Sequence, residues 1–122
     1  MSMEKMPDGM ICHLEIHAPD LEKSAKFYTE MFNWKVDVGV MPDYALWQDT
    51  HGGAGGFSTA GEPNTTQNYF YLKVEDMEAM LAKLRDAGTE ILSEKTQISP
   101  EHGYIALFKD PGGNIIGLWS QN

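Results

Sequence analysis

Cysteine is nearly absent from this chain of 122 residues: Cys12 stands alone. An internal disulfide is therefore excluded, and a reducing cytoplasm is the expected compartment. Long apolar runs are missing too. None approaches the roughly 20 residues that a membrane helix needs. The opening "MSMEKMPDG" has no basic segment followed by an apolar one, so it does not read as a secretory signal. Positive charge is scarce, with 9 Lys and Arg against 18 Asp and Glu, a formal net charge of −9. Such a surface repels phosphate backbones and anionic lipid, which argues against nucleic-acid and membrane partners.

The composition that remains, 42% hydrophobic and 11% aromatic, suits a packed globular core. Apolar and polar residues alternate over 11–17, "ICHLEIH", which reads as a half-buried strand. Cys12, Leu14 and Ile16 share one face of it. His13, Glu15 and His17 share the other. Asp20 is a good N-cap for a helix over 21–32, with Leu21, Ala25, Tyr28 and Phe32 as its stripe and Asn33 as its stop. Strands are then expected at 34–40, 44–49 and 55–59, with the Gly-rich 51–56 as a turn. It lacks the Lys-Ser/Thr ending of a phosphate loop.

Residues 60–67, "AGEPNTTQ", read as a linker. Beyond them the pattern restarts: a strand over 68–74, a helix over 75–88 with Met77, Met80, Leu81 and Leu84 as its stripe and Gly88 as its stop, then strands over 89–94, 103–110 and 114–120. "DPGG" (110–113) is a turn by composition. The order is βαβββ, linker, βαβββ. Matching 14–16 to 72–74 makes an internal duplication of about 55 residues and sets Glu15 opposite Lys73, which suggests an ion pair. The predicted architecture is α+β. Two βαβββ modules, at about 9–59 and 68–121 of a single domain, can pair so that their uncovered sheet faces form one curved surface. Its concave face carries His13, Glu15, His17, Tyr69 and Tyr71. Trp119, on the last strand, shares that face.

Three stretches, "HLEIHAPDLEKSAKFYTEMFNW" (13–34), "VEDMEAMLAKLRDAG" (74–88) and "FKDPGGNIIGLW" (108–119), together make the chain resemble the vicinal-oxygen-chelate superfamily of glyoxalases, extradiol dioxygenases and fosfomycin- and bleomycin-resistance proteins. The resemblance implies a glyoxalase-like fold, in which paired βαβββ modules make an eight-stranded, cup-shaped sheet, a homodimer and, in many members, a divalent metal held by the first strand of each module and the last strand of one or both. His13, seven residues before Asp20 and fourteen before Phe27, matches the first-strand histidine. The second such position holds Tyr69. The last-strand glutamate position holds Gly117. The strand at 55–59 offers neither Glu nor His.

The expected protein is therefore a metal-free, cytoplasmic, homodimeric binder of a small, partly apolar molecule. His13, Glu15, Tyr69, Tyr71 and Trp119 are the substrate-binding residues, and Gly117 makes room for a planar ligand. Glu15 is also a candidate general base. Two alternatives stand beside this: a metal-dependent lyase, isomerase or dioxygenase of the glyoxalase type using His13 in a rearranged site, and a protein that sequesters a drug without chemistry. For a rearranged site, alternate strand residues lie about 6.6 Å apart along the axis. Two adjacent members of His13, Glu15 and His17 could then share an ion, and a third ligand would have to come from elsewhere, with His51 and His102 the remaining histidines. Cys12 is read as a small core residue.

Overall fold

Asp20 and Asp76 begin the two helices in the same way. Each is extended (φ −120° and ψ 99°, φ −125° and ψ 99°), and each side chain accepts from the backbone N–H three residues on, at Lys23 and Ala79. This satisfies a donor that a helix start leaves unpaired. The computed structural model describes residues 7–8, 11–64 and 69–122. It divides into two compact units, Met1–Glu62 and Pro63–Asn122.

The first unit runs β1 (Leu14–His17), α1 (Leu21–Phe32), β2 (Lys35–Met41), β3 (Tyr44–Gln48) and β4 (Ala54–Ser58). Its sheet has the order β1-β4-β3-β2, with β1 and β4 parallel and the other pairs antiparallel. The predicted first strand is shorter than 11–17, and this corrects the reading of Cys12. Ile11 is 81% exposed and Cys12 is exposed, because the chain joins the sheet only at Leu14. The buried face of α1 is Ser24, Phe27, Tyr28 and Met31, a quarter-turn from the predicted stripe. Asn33, left-handed at φ 61°, ends the helix as expected. Trp34 then stacks on Tyr28 at 4.5 Å between ring centroids and on Trp47 at 4.3 Å, and Phe57 closes the cluster against Tyr28. Burying each such side chain stabilises by roughly 1.5–3 kcal/mol. Trp34 and Trp47 thus belong to the core.

The second unit runs β5 (Tyr71–Lys73), α2 (Met77–Asp86), β6 (Ile91–Ser99), β7 (Gly103–Lys109) and β8 (Ile115–Ser120). Its sheet order, β5-β8-β7-β6, with β5 and β8 parallel, repeats that of the first. The helix buries Met77, Leu81 and Leu84, and Phe108, Ile116 and Leu118 are buried in the same unit. Strand β6 reaches Ser99, well past the predicted 94. The "DPGG" turn is built on a buried aspartate. Asp110 Oδ1 accepts from the backbone N–H groups of Gly112 and Asn114 and from the Asn114 amide, and Gly113 takes φ 86°. That motif is therefore structural.

The registers revise the internal alignment. Glu15 pairs with Gly56, and Tyr71 pairs with Gly117. Counting back from the caps gives the same answer: Glu15 corresponds to Tyr71, His13 to Tyr69 and His17 to Lys73. The match of 14–16 to 72–74 is two residues out of register, so Glu15 has no counterpart in Lys73. The Lys73 ammonium pairs instead with Glu75.

Candidate functional site

In the first unit, alternation sends Ile16, Ala45, Trp47 and Phe57 into the core and leaves Glu15, Gly56, Leu46 and Asp37 as one row across the opposite sheet face. No helix of the unit covers that face. Tyr44 lies on it as well, and its ring leans over Gly56. A Cβ at Gly56 would stand 1.9 Å from the phenol oxygen. The glycine is what lets the ring lie there. The Tyr44 hydroxyl is 2.7 Å from His13 Nε2, and its ring runs parallel to the imidazole within 9°. Glu15 Oε1 is 3.8 Å from the same nitrogen. Burial, then the hydrogen bond to Glu15, then that carboxylate's charge push the Tyr44 phenol up to about 12. It therefore stays neutral at any physiological pH.

The trio read from the sequence is only partly assembled. His13 and Glu15 come together, with Tyr44 as a third member that sequence reasoning left unassigned. His17 turns its Nδ1 to the Ala60 carbonyl, at 3.0 Å. His51 sits in the turn, 3.5 Å from the Thr50 hydroxyl, and Asp49 accepts from the backbone N–H groups of His51 and Gly53.

In the second unit the corresponding sheet face carries Tyr71, Gly117, Leu107, Ile105 and Trp119. The Tyr71 ring lies directly on Gly117, where a Cβ would stand 2.4 Å from Cδ2. Tyr69 is beside it, with ring centroids 5.7 Å apart. Burial, then the hydrogen bond to Tyr69, then electrostatic interaction with it raise the Tyr71 phenol above its ordinary value. Trp119 Nε1 donates to the His102 carbonyl at 2.7 Å, which fixes the indole against the β6–β7 turn. His102 Nδ1 itself meets the Ser99 hydroxyl at 2.7 Å. The face is mostly aromatic, with Lys73 opposite Trp119 at its edge, and its rings are suited to stacking on a planar molecule.

Do these residues fit a divalent metal? Open sites for hard divalent ions need several carboxylate or imidazole donors. His13 offers one imidazole, already hydrogen-bonded through Nε2. The corresponding Tyr69 offers a phenol in place of an imidazole. Both last strands put a glycine opposite the first, and a tyrosine ring fills the space where a carboxylate would begin. Tyr44 resists becoming a phenolate ligand. Among the described residues no group of three or more His, Cys, Asp and Glu is placed to hold an ion. The donor set does not fit the family's metal.

Comparison with known proteins agrees with the fold. A family model, "Glyoxalase/Bleomycin resistance protein/Dioxygenase superfamily", matches residues 10–118. A glyoxylase-like domain-containing protein of Didymella fabae is 30% identical over 118 residues, covering 90% of this chain and 92% of that one. The putative glyoxylase CFP32 of Mycobacterium tuberculosis is 25% identical over 89% of this chain, which spans only 44% of its length. Among solved structures, the fosfomycin resistance protein FosX of Listeria monocytogenes superposes with a TM-score of 0.77 at 16% identity, over 96% of this chain and 94% of that one. At that identity the likeness speaks for the fold alone.

Proposed function

This chain belongs to the Glyoxalase/Bleomycin resistance protein/Dioxygenase superfamily, and from that premise we propose that it binds a small, partly apolar molecule without a resident divalent metal. His13 and Glu15 in the first unit, and Tyr69, Tyr71 and Trp119 in the second, are the residues assigned to the ligand. The observation that carries the metal-free part is the pair of roofed glycines, Gly56 under Tyr44 and Gly117 under Tyr71. The same reading takes the protein as a cytoplasmic homodimer, in keeping with its single cysteine and its family.

Two measurements test this. Elemental analysis of protein purified without added metal should find no stoichiometric divalent ion. An ion present at one per chain and lost in His13→Ala would overturn the metal-free reading. It would favour instead a metal-dependent lyase, isomerase or dioxygenase, the reading supported by His13 at the first-strand position. A thermal-shift screen of small molecules addresses the ligand. A binder at a hundred times its Kd should add roughly 2.7 kcal/mol of stability, and Tyr71→Ala or Glu15→Gln should abolish that gain. A binder left chemically unchanged, and belonging to a drug class, would favour the sequestering protein. Turnover that fails in Glu15→Gln would make Glu15 a general base.

A further inference from the structure

The His13 ring has two nitrogens, and the chain engages one of them. Nε2 lies 2.7 Å from the Tyr44 hydroxyl. Whichever atom supplies the proton, that contact uses up Nε2, because a neutral ring nitrogen has one hydrogen or one lone pair to offer. Glu15 Oε1, at 3.8 Å from Nε2, is beyond hydrogen-bond range of it. Nδ1 lies elsewhere on the ring, and among the described residues nothing partners it. The His13 side chain is 43% exposed, so Nδ1 is within reach of solvent and of a bound molecule.

Tyr44 is what holds the ring this way round. Its own ring runs parallel to the imidazole within 9°, at 6.4 Å between centroids. It arrives from β3, with β4 lying between that strand and β1. The reach is possible because Gly56 of β4 has no side chain: a Cβ there would stand 1.9 Å from the phenol oxygen and 2.2 Å from Cζ. Glycine inside a strand often marks such a close approach. Among the described residues this hydroxyl makes the one hydrogen bond that orients His13.

Resting on the reading of His13 as a ligand-binding residue, we infer that Tyr44 is a positioning residue for it: the phenol occupies Nε2 and leaves Nδ1 as the nitrogen that meets the bound molecule. Tyr44 acts through His13 in this role, and Gly56 makes the role possible. The pairing also gives the contact a fixed polarity. A phenol that donates to Nε2 puts the ring hydrogen on Nδ1; a phenol that accepts from Nε2–H leaves Nδ1 a lone pair. In both arrangements neutral His13 is held in one tautomer.

Nitrogen NMR of the full chain, labelled at histidine and held at a pH where the imidazole is neutral, reads this directly. Wild-type His13 should be a single tautomer. Tyr44→Phe keeps the ring but removes the hydroxyl, and should turn His13 into a mixture of both tautomers. Gly56→Ala keeps the hydroxyl but displaces it, and should do the same. Glu15→Gln should leave the single tautomer in place. Tyr44→Phe and Glu15→Gln should keep the wild-type melting profile to within a few degrees. A compound retained from the thermal-shift screen should shift the Nδ1 resonance and leave Nε2 where it was. A mixture in the wild type would overturn the inference, as would a single tautomer that survives in both Tyr44→Phe and Gly56→Ala. So would a compound that shifts Nε2 alone or neither nitrogen. Each of these leaves the proposed ligand-binding function standing. A screen with no binder removes both.

Discussion

Each unit lays a tyrosine ring over a glycine of its last strand, but the rings come from different places. In the first unit the ring is Tyr44, from the third strand, and its hydroxyl ends on the His13 imidazole, with the Glu15 carboxylate 3.8 Å from the same nitrogen. In the second it is Tyr71, from the first strand, directly opposite its glycine, with the Tyr69 ring beside it at 5.7 Å between centroids. The same backbone frame therefore carries a polar face with His13 and Glu15 in one unit and a mostly aromatic face in the other. The difference follows from one exchange at equivalent positions. Where the first strand keeps His13 and Glu15, an aromatic must reach the glycine from a neighbouring strand. Where it has Tyr69 and Tyr71, the strand supplies its own. Duplication fixes the glycine, and sequence divergence beside it sets the chemistry.

Substitution of the glycines sharpens this. The largest loss is expected at Gly55, whose added Cβ would lie 1.9 Å from the Leu14 carbonyl and 2.5 Å from the Trp47 ring. Backbone cannot step aside, so Gly55→Ala should cost about 3 kcal/mol or more in urea unfolding. Gly117→Ala meets the root of the Tyr71 ring, which is 46% exposed and can swing outward, and should cost about 1–2 kcal/mol. Gly56→Ala meets only the hydroxyl end of Tyr44 and should cost the least of the three, about 1 kcal/mol, while detaching the phenol from His13. Equal losses at Gly55 and Gly56 would mean that Tyr44 is as immovable as backbone, and the contrast between a frame and its roof would fall.

Local signals were legible in the sequence, while signals that depend on register were not. Asp20, Asn33 and Gly88 act within one helical turn of themselves, and the structure uses Asp20 as an N-cap, Asn33 as a left-handed stop and Gly88 at φ 82°, while the second cap, Asp76, falls inside the predicted 75–88 helix. The face of a strand is a different matter. Alternation over 11–17 was real, yet Cys12 lies outside the sheet because β4 offers it no partner beyond Gly55 opposite Leu14. The two-residue slip between the modules arose from matching apolar residues, "LEI" with "LKV", instead of counting from the caps. Tyr44 went unassigned because its role depends on a glycine twelve residues away. The available signal was the pair Gly55–Gly56 inside a strand, since glycine in a strand interior often marks the close approach of another group. Trp34 and Trp47 could be placed only once the core was seen.

The finest contrast lies in proton affinity. The Tyr44 phenol is raised from 10.0 to about 12 by burial first and Glu15 second, and Tyr71 is raised by burial first and Tyr69 second. Because the folded state holds on to the Tyr44 proton more strongly than the unfolded chain does, this stabilisation is fully present below pH 10. It fades as the pH rises through about 12, where the folded phenol ionises too. Phenolate absorbance during an alkaline titration should therefore show one tyrosine near 12. Glu15→Gln should bring it part of the way back toward 10, since burial remains after the charge has gone. The same substitution should leave Tyr71 where it is, whereas Tyr69→Phe should lower Tyr71 and leave Tyr44 unmoved. Each hydroxyl would then be shown to answer only to its own neighbour, and a Tyr44 titration indifferent to Glu15→Gln would break the contrast between the two faces.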